Sequence, residues 1–193
     1  MNTISKYIKK NLGFLIFIIG IGIFDFLIFI TPIMAMLGMN EITDGLYFGF
    51  SFTCHQLNSR SLCLFENQTI ASCTEYKQKV DYAKTNYVIK ENKIGYKFPV
   101  CSRDIGIYFS MLLGAIVFGI INRKNLNTTK IPPIIFLILA MVPIGIDGLG
   151  QLIGLWESSN FIRLLTGFII GIVSPFYAIP ILNHLSISDK EKT

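Results

Sequence analysis

The stretch LGFLIFIIGIGIFDFLIFI, Leu12 to Ile30, contains a single charge, Asp25, and the uncharged run after it continues to Leu37. At 1.5 Å per helical residue this segment is long enough to cross the roughly 30 Å of hydrocarbon in a bilayer. Lys6, Lys9 and Lys10 precede it, as they would in a signal peptide. However, the apolar run exceeds a signal core and lacks a small-x-small cleavage site at a suitable distance, so an uncleaved membrane anchor is expected.

Working outward, three more runs have spanning length and at most one charge: Ile105–Ile121, Ile131–Leu149 and Phe161–Leu182. Four spans follow, at about 12–37, 104–122, 131–150 and 161–183, in a single membrane domain covering 1–193. A shorter apolar patch, Leu46–Thr53 (LYFGFSFT), reads as a re-entrant or interfacial helix; a tilted crossing from Ile42 would invert the topology after it. The expected fold is an all-α integral membrane protein of four transmembrane helices, a short re-entrant or interfacial helix and a cysteine-containing outer loop at about 58–102. Composition agrees: 52% of the 193 residues are hydrophobic and 15% charged, against about 25% charged in a soluble domain. A soluble enzyme is excluded. The net charge of +5 is dispersed with no basic aromatic stripe, so the lysines set topology and no nucleic acid is expected.

Lys6, Lys9 and Lys10 before the first span, and Arg123, Lys124 and Lys130 between the second and third, orient both termini to the cytoplasm of a cell-membrane protein. That orientation gathers the polar residues at the outer face: Cys54, His55 and Gln56; Cys101 to Asp104; Asp147 to Gln151; Glu157, Ser158 and Arg163. Ionisable groups at membrane depth are costly and face a cavity or one another. Cys101 and Asp104 are spaced i, i+3, and Asp147 and Gln151 i, i+4, so each pair shares a helix face. Asp147 and Arg163 alone would read equally well as a pair locking two helices. Asp25 is expected as a helix-packing polar residue, His184 as a residue of the cytoplasmic interface, and Trp156 and Tyr108 as interface anchors.

Three blocks, CHQLNSRS (Cys54–Ser61), PVCSRDIGIY (Pro99–Tyr108) and IDGLGQLIGLWESSNFIRLLTG (Ile146–Gly167), resemble the signature blocks of a domain-of-unknown-function family of small bacterial and archaeal membrane proteins. The resemblance implies a multi-pass protein with an outer polar site and names no reaction. Members of that family often carry a second cysteine where this chain has Asp104. Both residue types ligate metals, whereas only cysteine forms a disulfide, so the exchange suits a metal site better than a dithiol.

The leading chemistry is therefore a metal site, zinc by default, drawing on Cys54, His55, Cys101 and Asp104 and, as a further candidate, Asp147. On a regular helix Cys54 and His55 would diverge by about 100°, so both could ligate only if the chain leaves the helix there. Glu157 or Asp147 would accept a proton, and Arg163 or Arg103 would hold an anionic group of a lipid or lipid-linked substrate, in a hydrolase or transferase. A metal that merely ties the loop to the helices is equally compatible. The alternative is thiol chemistry, with Cys101 at a helix start as nucleophile and His55 as base. A third reading is a non-catalytic protein or transporter subunit, since Gly114, Gly119, Gly145, Gly167 and Gly171 permit close helix approach and Pro143, Pro175 and Pro180 can break helices. Cys63 and Cys73 flank LFENQTIAS and are expected to form a disulfide. The triplet Asn67-Gln68-Thr69 within it matches a glycosylation acceptor.

Overall fold

The computed structural model describes residues 11–74 and 83–191, apart from the side chains of 186–191. Lys6, Lys9 and Lys10, on which the orientation leans, lie outside the described residues, as do Lys77 and Lys79 of the loop. Helix α1 spans Leu12–Met36, α2 Asn40–Phe50, α3 Ser102–Ile121, α4 Ile134–Leu152, α5 Asn160–Val173 and α6 Pro175–Glu191. Four runs are long and apolar enough to cross a membrane: Leu12–Met36, Ser102–Ile121, Ile134–Leu152 and Asn160–Leu185. These match the expected spans to within about three residues. The fourth run comprises α5 and the start of α6, separated by Ser174 alone, and Pro143 and Pro180 sit inside α4 and α6 without ending either.

Apolar side chains such as Ile16, Ile19, Ile23 and Phe26 of α1 and Ile134, Phe136 and Leu139 of α4 are exposed, as a lipid-facing surface requires. The short patch forms α2, which starts earlier than Leu46 and ends at Phe50. Its eleven residues rise only about 16 Å, too little to cross. Thr43, Tyr47 and Phe50, spaced by four and three residues, are its buried side, and Phe48 and Phe52 are exposed.

The chain is not all-α. Much of the expected loop folds into a four-stranded antiparallel sheet, β1 Leu62–Phe65, β2 Ile70–Ser72, β3 Tyr87–Lys90 and β4 Lys93–Lys97, in the order β2-β1-β4-β3. Two hairpin turns make it. Glu91 and Asn92 both take left-handed φ, of 51° and 59°, matching the two-residue turn that suits strand twist. In the other turn Asn67 Oδ1 accepts from the Thr69 hydroxyl at 2.7 Å. The sheet caps the end of the bundle where α1 ends and α3 begins, over a core of Ile28, Phe50, Phe98, Val100 and Ile105.

Cys63 and Cys73 form the expected disulfide, tying β1 to the residue after β2 and packing with Phe65 and Val88. Closing so short a loop stabilises the fold by roughly 3 kcal/mol. Replacing both cysteines by serine is expected to change mobility on a non-reducing gel and to lower the melting temperature. Unchanged values on both would show that the bond does not form in the protein.

Helices α3 and α5 approach most closely. A Cβ at Gly106 would strike the Leu164 carbonyl, one at Gly114 that of Ile172, one at Gly167 that of Arg103 and one at Gly171 that of Ile107. This seam of small residues draws the N-termini of both helices together at the sheet-bearing end. At the far end Gly13 lies against Asn183, whose buried amide donates to the Leu126 and Thr128 carbonyls at 3.0 and 2.9 Å.

Candidate metal and arginine sites

After α2 the chain leaves the helix at Cys54, and Gln56 adopts a left-handed φ of 54°. The Gln56 amide turns inward and donates to the Tyr47 carbonyl at 2.7 Å and the Pro99 carbonyl at 2.9 Å. His55 is left exposed. Of Cys54, His55 and Gln56, the histidine is the one that the turn leaves outside, while the glutamine is buried.

Cys101 caps α3 and Asp104 lies one turn on, so the i, i+3 spacing brings them to one face: the Cys101 thiol donates to Asp104 Oδ2 at 2.9 Å. One donor atom each from Cys54, Cys101 and Asp104 lie within 4.8 Å of one another, and His55 is not part of this group. The hydrogen bond from Cys101 lowers the Cys54 pKa, aided by the Gln56 N–H and opposed by burial and Asp104. Cys101 is pushed well up by the same bond, by burial and by the Asp104 charge. Its helix-start position, which favours a thiolate, is opposed by these three effects.

Lys97 carries no signal in the sequence, yet it is 1% exposed. Its ammonium donates to the Gln56 carbonyl at 2.8 Å and Asn58 Oδ1 at 3.2 Å, and burial lowers its pKa to about 8. Its positive charge and the negative charge of a Cys54 thiolate attract one another. Tyr47 ties α2 to the same strand by donating to the Lys97 carbonyl at 2.5 Å.

The remaining expected residues form a second group. Arg103 pairs with Asp147, and Arg163 pairs with Glu157. Asp147 and Arg163, for which a direct pair is one of two equal readings of the sequence, are instead joined through a bridge: the Gln151 amide donates to Asp147 Oδ2 at 2.9 Å and accepts from Arg163 at 2.5 Å. Gly154, at φ 75°, ends α4 and turns the chain so that Trp156 lies over Gly150 and Glu157 reaches α5. Arg60, which lies within the recognisable Cys54–Ser61 block but gave no sign of its partner, approaches Glu157 Oε1 at 3.4 Å. Ser158 is buried, its hydroxyl meeting the neighbouring Ser159 carbonyl at 3.4 Å. Ser102 and Asn160, at the starts of α3 and α5, join at 2.8 Å, and Ser102 also donates to the Arg60 carbonyl at 3.2 Å. Asp147 and Glu157 therefore present oxygens already taken by guanidiniums, so they hold arginines in place. Asp25 is buried in α1, with neither carboxyl oxygen meeting a hydrogen-bond partner among the described residues.

Residues 93–177 match the family described as Predicted membrane protein (DUF2085). An uncharacterized protein of Methanocaldococcus jannaschii is 36% identical over 173 residues, 87% of this chain and 91% of that protein. An uncharacterized protein of Methanothermobacter thermautotrophicus is 37% identical over 78 residues, 40% of this chain and 67% of that protein. No solved structure matches.

Proposed function

Because the chain belongs to the DUF2085 family of predicted membrane proteins, we propose that it is a metal-dependent membrane enzyme, a hydrolase or transferase, acting on a lipid or lipid-linked substrate at the outer interface. The observation that carries this reading is the convergence of the Cys54 and Cys101 sulfurs and an Asp104 oxygen within 4.8 Å. Two sulfurs and one oxygen match the donors zinc takes at about 2.0–2.3 Å, and three protein ligands leave the fourth position that catalytic zinc sites keep open. A bound zinc ion would supply a Lewis acid and a water acidified to near neutrality. Lys97 favours the Cys54 thiolate, and Gln56 fixes the turn that presents it. The apolar surface of the four spanning runs carries the site at headgroup depth. An outward-facing sheet agrees with the Cys63–Cys73 disulfide and with Arg123, Lys124 and Lys130 at the opposite end.

The test is elemental analysis of detergent-purified protein with free thiols titrated on the same samples. Near-stoichiometric metal is expected in the wild type and in His55→Ala, with loss in Cys54→Ser and Cys101→Ser. Metal-free wild type with two titratable thiols would overturn the reading. It would favour thiol chemistry instead, with Cys54, whose pKa the Cys101 hydrogen bond lowers, as the nucleophile.

A further inference from the structure

We propose that Arg60, Arg103 and Arg163 form a binding site for a phosphate oxyanion, carried either by a lipid headgroup or by a soluble phosphate. The proposal rests on the reading above for the sharing of one face with the metal group, while its chemistry is independent of the metal.

The three guanidiniums belong to one unbroken chain of contacts. Arg60 meets Glu157, Glu157 meets Arg163, Arg163 meets Gln151, Gln151 meets Asp147 and Asp147 meets Arg103. A single oxygen of each carboxylate serves its partners in that chain: Oε1 of Glu157 faces both Arg60 and Arg163, and Oδ2 of Asp147 faces both Gln151 and Arg103. Three positive charges thus stand against two negative ones. Arg60 and Arg103 both lie near enough to Arg163 for their charges to oppose its own. The N-termini of α3 and α5, stitched together by Ser102 and Asn160, add positive potential at the same place.

Such an excess is costly at the edge of a bilayer unless an anion offsets it. Unused hydrogen-bonding capacity points the same way. The Nε atoms of Arg103 and Arg163 are buried without a hydrogen-bond acceptor among the described residues, and that of Arg60, also buried, faces Glu157 Oε1 at 3.4 Å without making an aligned hydrogen bond. A buried N–H left unmade costs free energy, and three in one cluster indicate a missing acceptor. The side chains are graded in exposure, at 35% for Arg60, 23% for Arg103 and 3% for Arg163, so the cluster opens past Arg60 and Arg103 with Arg163 as its floor. Planar carboxylates already occupy the two internal positions. A tetrahedral oxyanion can accept from three forks that do not share a plane, which is the recognition arginine performs better than lysine.

The experiment uses the full chain in an uncharged detergent, with inorganic phosphate titrated calorimetrically against sodium chloride at matched ionic strength. A second arm places the protein in phosphatidylcholine nanodiscs with and without phosphatidic acid and reads lipid retention by native mass spectrometry. Saturable binding of inorganic phosphate assigns a soluble phosphate, and retention of phosphatidic acid alone assigns a lipid headgroup; either supports the site. Arg60→Gln, at a partly exposed position, is expected to weaken binding about tenfold. Arg60→Lys, which keeps the charge and loses the fork, should fall between Arg60→Gln and the wild type, and remains informative if Arg60→Gln folds poorly. Cys54→Ser should bind like the wild type. Binding of neither probe, wild-type affinity in both Arg60 variants, or loss of binding in Cys54→Ser, which would move the anion to the metal, each overturns the proposal. Only the last of these bears on the metal reading, and it would support it.

Discussion

Gly167→Ala is expected to destabilise the protein by about 3 kcal/mol, while Gly145→Ala, the same exchange in a neighbouring helix, leaves stability unchanged or raises it by up to about 1 kcal/mol. Both glycines are helical, so the intrinsic gain in helix propensity is common to both. They differ in what the new methyl group meets. At Gly145 nothing among the described residues lies within 4 Å of the added Cβ, whereas at Gly167 it runs into the Arg103 backbone carbonyl. A carbonyl inside a helix cannot swing aside as a flexible side chain can, so α3 and α5 must separate. Separation also loosens Ser102 from Asn160 and Arg103 from its place opposite Asp147. Melting temperatures of the two variants in one detergent decide the matter. Equal values would mean that α3 and α5 do not rely on this seam.

That seam was partly legible in the sequence. Of the five glycines expected to permit close approach, Gly114, Gly167 and Gly171 each lie against a carbonyl of the opposing helix, whereas among the described residues Gly119 meets only the Phe14 ring and Gly145 meets nothing. The spans were legible because hydrocarbon leaves a helix little choice of composition. Local pairs were legible too, since helical spacing alone brings Cys101 to Asp104 and Asp147 to Gln151.

What the sequence hides depends on contacts between elements. The strands are short, and in β3 burial alternates against hydrophobicity, with Tyr87 and Ile89 exposed and Val88 and Lys90 half-buried, so its pairing depends on the Glu91–Asn92 turn and on β4. Lys97 looks like any solvated lysine until Gln56 and Asn58 supply acceptors for it inside the fold. Arg103 is one residue from Asp104, yet about 100° around the helix from it, so which acid each arginine takes is set by how α3, α4 and α5 are rotated against one another. Arg60 joins the cluster only because the turn before β1 folds over the start of α3.

Arg163→Met is expected to cost about 3–5 kcal/mol, among the largest effects open to a single side chain here. Arg163 is 2% exposed and is held by Glu157 and by the Gln151 amide oxygen. Methionine fills much of the volume and supplies no donor, so the cost comes from what is stranded. Glu157, itself largely buried, keeps Arg60 at 3.4 Å, and the Gln151 side chain keeps its two bonds to Asp147. Adding Glu157→Gln removes the stranded charge and should recover part of the loss. Recovery stays incomplete because the Gln151 oxygen still lacks its donor and Arg60 loses its only ion pair within 4 Å among the described residues. Thermal denaturation of the two singles and the double variant gives the coupling directly. A cost below about 1 kcal/mol for Arg163→Met, the range of a screened surface pair, would mean that water reaches the floor of the cluster. A double variant no more stable than Arg163→Met would mean that the cost does not lie in a stranded Glu157 charge.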